Sequence, residues 1–367
     1  MPAGSESQPP SAEPISIDGS YGEGGGQILR TSLALSALTG RPVEIVSIRA
    51  GRKKPGLAAQ HLTACLAIAE ITGGALQGAE IGSQRLTFTP GPIRPGEYHF
   101  DVAAVSPSAG STMLVLQALL PALLFAPGPT RLVLDGGTHV AWSPPFEYVQ
   151  EVFLPALAKM DIRVELRLER PGWYPRGGGR VVAQIQPCPE LAPLELQQRG
   201  DLLQLDCLSM SSGLPDHVAE RQLKAAQQAL QEAGLSAAGA LRRPSAHGQG
   251  SFCFLRAVFE HGWAGASALG ARGKPAEQVG QEAARELLGF LATAASIDRH
   301  LGDQIVPYLA LAKGRSAVAV EGITQHLCTN IWVARRLLRP DLAVLGEKDQ
   351  PGLIVAGPSD ADDGLCS

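Results

Sequence analysis

One histidine lies where a nucleophile could act. His326 follows an apolar, strand-like run at residues 316–320 and precedes a helix-like run at residues 331–338. Scaffolds usually present reactive groups at such strand-to-helix junctions, and a neutral imidazole can attack phosphorus near pH 7. Taken alone, a histidine of this kind is more often a buried or surface imidazole. Cys328 lies two residues later, but no second histidine or acid stands at triad-like spacing, so a cysteine nucleophile is disfavoured.

A glycine-rich loop at residues 22–26 lies between a predicted strand at 15–18 and a predicted helix at 28–38. Backbone N–H groups of such a loop can approach an anion at the helix N terminus, where the dipole favours negative charge. The loop does not fit the dinucleotide-binding pattern, because Gln27 takes the last position, and it lacks the end of a Walker A loop. A tight structural turn therefore stays an alternative. Glu23 is unusual in a pure anion site, but a carboxylate beside phosphates makes sense if it holds a divalent cation.

The densest basic cluster of the chain follows a second predicted strand at 43–49, and Arg30 lies on the first turn of the preceding helix. Guanidinium groups bind phosphates through paired hydrogen bonds. For any one of these residues, the alternative to phosphate binding is a place in a solvated basic loop. Proximity to the glycine loop would favour phosphate binding, since both loops leave the same predicted sheet. Gln60 and His61 begin the next predicted helix and could face the same cleft. The cluster consists of Arg49, Arg52, Lys53 and Lys54.

A polar segment opens a later predicted helix. Asp303 and Gln304 lie at its start, where helix capping explains them adequately. His300 just before them could offer a stacking surface or could simply be solvated.

The elements that must position these residues alternate between strands and helices, which indicates an α/β (α+β) fold. Residues 15–88 form one predicted unit, the same order of elements predicts a second at residues 98–185, and a third resumes after Pro275. Prolines near residue 187 mark the entry to a segment of different character. The expected division is a disordered tail at 1–14, a large domain at 15–186 and 276–350, an inserted small α/β domain at 187–275, and a flexible C-terminal tail at 351–367.

Composition limits the classes of function. The 367 residues are 45% hydrophobic and 18% charged, so the chain is globular, and the formal net charge is −4. Wrapping of nucleic acid needs a strongly basic face and is disfavoured, whereas a local basic pocket for one strand end is allowed. Six cysteines without a CxxC pair or zinc spacing predict reduced thiols in a cytoplasmic protein. The longest apolar stretch, 113–126, is too short to cross a bilayer, so no membrane segment is expected.

Several of these segments, taken together, resemble the RNA 3′-terminal phosphate cyclase family. The resemblance runs from about residue 15 to about residue 345, and the inserted region falls where that family has one. The segments that carry it are 22–30, 47–52 with 54–56, 60–63, 82–86, 300–304 and 326–330.

The resemblance implies an architecture and a reaction. The large domain would contain three repeated units, each with two helices on a four-stranded sheet, and the insert would have a thioredoxin-like arrangement. The enzyme would be an ATP-dependent ligase that forms a phosphoric ester bond. It would convert an RNA 3′-phosphate end to a 2′,3′-cyclic phosphate through histidyl-AMP and RNA(3′)pp(5′)A intermediates. Its partners would be ATP and RNA with a 3′-phosphate end, with no obligate protein partner.

The resemblance also implies roles for individual residues. His326 would be the catalytic nucleophile, and Glu23 would bind Mg²⁺ or Mn²⁺. Adenine would stack between His300 and Pro144 or Pro145. Phosphates of ATP or of the RNA end would be held by Arg30, Arg49, Arg52 and Gln60. The rest of the nucleotide site would comprise Gln117, His300, Leu301, Gly302, Asp303 and Gln304.

Three alternatives stand beside this interpretation. One is a non-cyclising, cyclase-like protein of ribosome biogenesis, which lacks the reactive histidine and is therefore disfavoured by His326, Arg30 and Arg49. Another is an enolpyruvyl transferase, which has a similar repeated fold but binds a carboxylate substrate. The third is a plain RNA-binding module, which the −4 charge and the scarcity of aromatic residues disfavour.

Overall fold

The computed structural model describes residues 13–105, 109–339 and 341–358, and the chain begins with a four-stranded sheet carrying two helices. Strand β1 pairs with β2 in parallel, and β4 lies antiparallel between β2 and β3. The elements of this first unit are β1 (Ile15–Asp18), α1 (Gly26–Thr39), β2 (Val43–Val46), α2 (Ala59–Thr72), β3 (Ala75–Gln77) and β4 (Leu86–Thr89).

A second unit repeats this strand order. Strand β5 is parallel to β6, and β8 lies antiparallel between β6 and β7. Its elements are β5 (Glu97–Asp101), α3 (Thr112–Leu123), β6 (Thr130–Gly136), α4 (Phe146–Tyr148), a π-helical segment (Val149–Phe153), α5 (Leu154–Ala158), β7 (Val164–Arg170) and β8 (Gly179–Ile185).

The first strand of the third unit, β9 (Glu195–Leu196), is separated from the rest of its sheet by a long insertion. The insertion forms its own mixed sheet in the order β11-β10-β12-β13. Its elements are β10 (Leu202–Ser212), α6 (Asp216–Glu232), β11 (Ala238–Arg242), β12 (Gly250–Phe259), β13 (Gly262–Leu269) and α7 (Ala276–Leu291).

After the insertion the third unit resumes and its sheet closes in the same order as the first two. Strand β9 is parallel to β14, and β16 lies antiparallel between β14 and β15. The remaining elements are α8 (Arg299–Leu311), β14 (Ser316–Val320), α9 (Gln325–Leu337), β15 (Ala343–Leu345) and β16 (Gly352–Ala356).

Strands β10, β12 and β13 of the insertion bury side chains on both faces of their sheet, as the alternation of side chains along a strand dictates, whereas the edge strand β11 is exposed. Cys207 and Leu255 point into a core shared with α6 and α7. Met210 and Phe254 point the other way, into the large core of the three units. The inserted domain was expected to end at residue 275, just before α7. The apolar face of α7 nevertheless packs on the sheet of the insertion. The thioredoxin-like arrangement stays a prediction.

Two expected boundaries are wrong. The predicted strand at 43–49 ends at Val46, because Ser47 and Arg49 turn the backbone to φ values of 54° and 52°. The C-terminal tail expected from residue 351 instead begins with β16, which supplies hydrogen bonds to both β14 and β15. Its apolar run, Leu353 to Ala356, is short enough to be mistaken for part of a tail. Residues 1–12 and 359–367 of the two expected tails lie outside the described residues.

Within the described ranges, no helix combines the length and the apolar character needed to cross a membrane.

Candidate active site

His326 lies on the first turn of α9, at the N terminus of the helix. The hydroxyl of Thr324 caps this helix by accepting a hydrogen bond of 2.9 Å from the backbone N–H of Leu327. The His326 side chain is 43% exposed, and its Nδ1 lies 3.0 Å from Glu23 Oε2. A carboxylate beside Nδ1 favours the tautomer that carries the ring proton on Nδ1 and the lone pair on Nε2.

Glu23 reaches His326 because the glycine loop lies directly against α9. Gly22 has φ 61° and Gly24 has φ 55°, values that favour glycine. A Cβ at Gly22 would lie 2.5 Å from Thr329 Oγ1, so the loop could not approach the helix this closely with a larger residue. Glu23 Oε2 also lies 3.7 Å from Arg52 Nη2, which brings the basic loop to the same point.

Asn330 joins three helices beneath this contact. Its Oδ1 accepts a hydrogen bond of 2.7 Å from Thr31 of α1, and its Nδ2 donates one of 2.7 Å to the Asp303 carbonyl of α8. The Asp303 carboxylate in turn accepts a short hydrogen bond from Thr324, the cap of α9. Burial raises the pKa of Asp303 to about 6. These contacts fix the start of α9, and with it His326, relative to α1.

Positive charge faces the other side of the glycine loop. Burial lowers the pKa of Arg30 to about 10, and among the described residues Arg30 has no hydrogen bond or ion pair. Burial, followed by the charges of Arg30 and Arg49, lowers the pKa of His61 to about 3. His61 Nδ1 accepts a hydrogen bond of 3.1 Å from the Ala58 N–H, so its neutral ring carries the proton on Nε2. A cationic side chain left without a protein partner beside a glycine loop is suited to bind an anion.

A series of hydrogen-bonded polar side chains lines the part of the cleft beside α8. Gln117 donates a hydrogen bond of 2.6 Å to Gln304, which donates one of 2.8 Å to the carbonyl of His300. His300 Nε2 lies 3.0 Å from Glu286 of α7. Burial alone would lower the pKa of His300, but the hydrogen bond to Glu286 and the neighbouring carboxylates raise it to about 9. His300 is therefore a cation at neutral pH.

Asp298 fixes the helix that carries His300. Its carboxylate caps α8 by accepting hydrogen bonds of 2.8 and 2.9 Å from the N–H groups of His300 and Leu301. It also accepts 2.8 Å from the Tyr148 hydroxyl and 3.0 Å from the Gly265 N–H. One buried carboxylate thus joins the second unit, the insertion and the third unit around the cleft.

The cleft between these elements has a volume of about 940 Å³. Strand β13 and helix α7 of the insertion form one of its walls. The predicted site residues that line it are Glu23, Arg30, Gln117, Pro144, His300, Asp303, Gln304 and His326.

Comparison with known proteins identifies the family of the chain. The family model of RNA 3′-terminal phosphate cyclase matches residues 21–344. The chain belongs to the RNA 3′-terminal phosphate cyclase family. A relative of that name from Pyrobaculum aerophilum is 45% identical over 345 residues, which cover 94% of this chain and 98% of the relative. Another of the same name from Hyperthermus butylicus is 48% identical over 332 residues, covering 88% and 91%.

A bacterial relative from Methylococcus capsulatus, also named RNA 3′-terminal phosphate cyclase, is 48% identical and covers 88% of this chain and 90% of its own. Among solved structures, the enolpyruvyl transferase NikO from Streptomyces tendae aligns over 47% of this chain and 33% of its own. Its TM-score is 0.26 at 18% identity, a likeness too weak to carry an argument.

Five predicted residues of this cyclase-family site do not line the cleft. Leu301 is fully buried, and a Cβ at Gly302 would lie 2.5 Å from Val320 Cγ2, so both pack α8 against β14. Arg52 lies beside Glu23, and Arg49 donates a hydrogen bond of 2.7 Å to the Gly56 carbonyl. Gln60 lies against the start of α3, where its side-chain oxygen is 3.5 Å from the Ser111 N–H.

Several residues that shape the site were not predicted from the sequence. Asn330 and Glu286 act through partners elsewhere in the chain, so no local pattern indicates them, and Asp298 also contacts the distant Tyr148 and Gly265. Tyr308, whose buried hydroxyl has no hydrogen-bond partner in the described part of the chain, also lines the cleft. Asp298 alone carries a local signal, because an aspartate just before a helix is a common N-cap.

A divalent cation in the cleft would find the carboxylate of Glu23 beside His326. No cluster of three or more histidine, cysteine, aspartate or glutamate side chains suited to a metal occurs in the part of the chain that the structure describes. Mg²⁺ is commonly held by one or two carboxylates together with substrate phosphates and water. Glu23, which is 41% exposed beside His326, fits that mode of binding.

Proposed function

We propose that this protein uses ATP to convert an RNA 3′-phosphate end to a 2′,3′-cyclic phosphate. In the first step, Nε2 of His326 attacks the α-phosphorus of ATP. A P–N bond forms, the bond to the bridging oxygen breaks, and pyrophosphate leaves. The product is AMP linked to His326 as a phosphoramidate, which is labile enough to pass AMP on.

The next two steps take place on the RNA. An oxygen of the 3′-phosphate attacks the phosphorus of the linked AMP, the P–N bond breaks, and RNA(3′)pp(5′)A forms. The adjacent 2′-hydroxyl then attacks the activated 3′-phosphorus, and AMP leaves with the bridging oxygen. This order makes chemical sense because a phosphate monoester has a poor leaving group, which adenylation replaces by AMP. The neighbouring hydroxyl closes the five-membered ring at high effective molarity.

One observation supports the proposal above the others: the contact of 3.0 Å between His326 Nδ1 and Glu23. It favours Nε2 as the nucleophilic nitrogen in a cleft that also contains Arg30, a cation that has no hydrogen bond or ion pair among the described residues. A histidine whose Nδ1 faces a carboxylate, beside an available cation, suits attack on a phosphate ester. The cyclase names of the relatives agree with this chemistry.

The other polar groups of the cleft suit ATP. Arg30, with Arg52 beside Glu23, would neutralise phosphates, and the hydrogen-bonded pair Gln117 and Gln304 would contact the nucleoside. The charged ring of His300 would stack on adenine, since a cation over an aromatic face is favourable. Pro144 would cover the opposite face of the base.

Mg²⁺ or Mn²⁺ would be held by Glu23 together with phosphate oxygens of ATP. Its chemistry there is to neutralise charge on the triphosphate and to assist departure of pyrophosphate. Glu23 would then serve both the cation and the tautomer of His326, and these two roles can be separated by substitution.

The proposal extends to the setting of the reaction. We place it in the cytoplasm, since the five described cysteines are all free, and we expect no obligate protein partner. A non-cyclising relative would have no need of a tautomer-fixed histidine, and an enolpyruvyl transferase would not form a nucleotide adduct.

The experiment that tests the proposal needs no RNA. The protein is incubated with α-labelled ATP and Mg²⁺ or Mn²⁺, denatured, and examined for retained label that survives base and is lost in acid. His326→Ala should abolish labelling. His261→Ala, which removes an exposed imidazole outside the cleft, should label like the wild type. A pure wild-type protein that takes up no label would refute the covalent mechanism.

A second assay follows the product. RNA with a 3′-phosphate should become resistant to phosphatase on incubation with protein and ATP, whereas RNA with a 3′-hydroxyl should be unchanged. Labelling without phosphatase resistance would support a nucleotidyl transferase that does not cyclise.

A further inference from the structure

One tryptophan is displayed to solvent at the rim of the cleft. Trp142 is 98% exposed, the highest value among the large apolar side chains of the described residues. Its backbone has φ 64°, in the left-handed region that bulky residues rarely occupy. Both features are unfavourable in a folded protein without a ligand, because a large ring stays in water and the backbone is strained. Strain of this kind occurs most often at ligand-binding segments.

The loop that carries Trp142 is firmly held at both ends. Ser143 Oγ donates a hydrogen bond of 3.0 Å to the Val140 carbonyl across the tryptophan, and the residues that follow are Pro144 and Pro145. Just before the loop, buried His139 contacts Glu147 at 2.6 Å. The exposure of Trp142 is therefore a consequence of a defined turn.

The position of the loop indicates what the ring meets. Trp142 and Pro144 line the same cleft as His326 and His300. A ring that packed on a base deep in the cleft would be partly covered by the cleft walls, as Pro144 and His300 are placed to be. Trp142 instead stands almost wholly clear of the protein, at the mouth through which the second substrate must enter.

We propose that Trp142 stacks on a base near the 3′ end of the RNA substrate and so guides the terminal phosphate towards His326. This inference rests on the proposed function, since it names how that site takes its RNA. Aromatic stacking accepts any base, because every base has a π face. The contact would therefore add affinity for RNA ends without selecting a sequence.

Two substitutions separate the ring from the backbone. Trp142→Phe keeps an aromatic face, whereas Trp142→Gly removes the ring and relieves the strained φ. Tyr174→Ala removes another exposed ring, 77% exposed and outside the cleft lining, and is the control. With 3′-phosphate RNA, Trp142→Gly should raise the KM for RNA about 10-fold, Trp142→Phe by less, and Tyr174→Ala not at all, from the usual strength of base stacking.

The effect should fall on RNA and not on ATP. The KM for ATP, measured by label taken up on His326 without RNA, should change far less than the KM for RNA in both Trp142 variants. An equal rise in both, or a larger rise for ATP, would overturn the proposal and place the ring on adenine. An unchanged KM for RNA in Trp142→Gly would also overturn it.

Tryptophan fluorescence tests the contact without catalysis. Of the other three tryptophans, Trp173 and Trp263 are buried, and Trp332 stacks on Tyr21 at 4.2 Å. A short 3′-phosphate oligonucleotide should quench the emission of the wild type, and Trp142→Phe should lose most of that quenching. Quenching that persists in Trp142→Phe would refute the stacking even if the enzyme cyclises RNA. If Trp142→Phe loses the quenching but the wild-type protein never takes up label, the stacking would be upheld and the covalent mechanism refuted.

Discussion

Nδ1 of His326 lies 3.0 Å from Oε2 of Glu23, and the two residues belong to opposite ends of the described chain. Glu23 lies in the glycine loop of the first unit, and His326 begins a helix of the third. The proposed nucleophile and the carboxylate beside its Nδ1 therefore meet only when these units are packed together. In the proposed mechanism, their contact links the overall fold to the reactivity of Nε2.

Glu23 can be tested by comparing two substitutions. Glu23→Ala should slow labelling of His326 about 100-fold or more, because the proton on Nδ1 loses its acceptor. Glu23→Gln should lose less at saturating Mg²⁺, since an amide oxygen still accepts that proton. Single-turnover labelling with α-labelled ATP measures both. Glu97→Ala, which removes an exposed carboxylate elsewhere, should have no effect.

The dependence on metal concentration separates the two roles of Glu23. If the carboxylate mainly holds the cation, Glu23→Gln should need far more Mg²⁺ and then recover the wild-type rate. Labelling of Glu23→Ala at the wild-type rate would contradict both roles.

Asn330 should matter for stability and for activity together. Asn330→Ala leaves the Thr31 hydroxyl and the Asp303 carbonyl without their partner. The free energy of unfolding should fall by about 1–3 kcal/mol, the usual cost of unsatisfied buried groups. Urea unfolding measures this loss. Labelling of His326 should also slow, because α9 is no longer fixed to α1.

Thr31→Val provides the matching partner for a double-mutant cycle. Because both substitutions break the same hydrogen bond, their effects on unfolding should be less than additive. Full additivity would show that the bond contributes nothing to the packing of α1 on α9.

Much of the fold could be predicted because its elements have strong local signals. Helix α1 was expected at 28–38 and occurs at Gly26–Thr39, where Gly40 ends it with φ 66°. The three shortest strands of the large domain, β3, β9 and β15, have two or three residues each, too few for a pattern of alternation. Strand β16 was missed because its residues, from Leu353 to Ala356, are all apolar and show no alternation of polar and apolar side chains.

The site residues show the same difference between those with a local sequence signal and those without one. His326, Glu23 and Arg30 lie in segments whose residue types already point to phosphate chemistry, and the structure brings all three to one cleft. Leu301 was expected there because the family resemblance implies the whole segment 300–304, but the helical turn points its side chain into the core. The role of Asn330 depends on contacts among three helices, and these contacts form only in the folded chain.

Asp303 should make stability depend on pH in a defined direction. Burial raises its pKa from 3.8 to about 6, so folding takes up a proton between about pH 4 and pH 6. The folded state therefore loses stability as pH rises through this window, and the loss is complete above about pH 6. Asp303→Asn stays neutral and can still accept from Thr324. It should be more stable than wild type at pH 8, by a free energy of unfolding on the order of 2 kcal/mol.

Thermal melts of both proteins from pH 4 to pH 8 measure this difference. The gap should close towards pH 4, where Asp303 of the wild type is protonated in both states. A gap of constant size across the range would show that the substitution acts through packing and not through the charge.

Gly26 lies where no side chain fits. A Cβ there would be 2.3 Å from His61 Nε2 and 3.1 Å from Arg30 Nη1, while the other ring nitrogen of His61 is held by the Ala58 N–H. Gly26→Ala should therefore displace His61 and Arg30, lower the free energy of unfolding by about 1–3 kcal/mol, and slow labelling of His326. Urea unfolding and single-turnover labelling measure the two effects.

The same substitution at another helical glycine is the control. Gly289 of α7 is exposed with open space around its Cβ position, so Gly289→Ala should stabilise the protein by about 0.5–1 kcal/mol through helix propensity. Adding His61→Ala to Gly26→Ala should relieve part of the clash, so the double variant should be more stable than the two single losses predict. If Gly26→Ala proves as harmless as Gly289→Ala, the glycine loop is not packed on His61 as described.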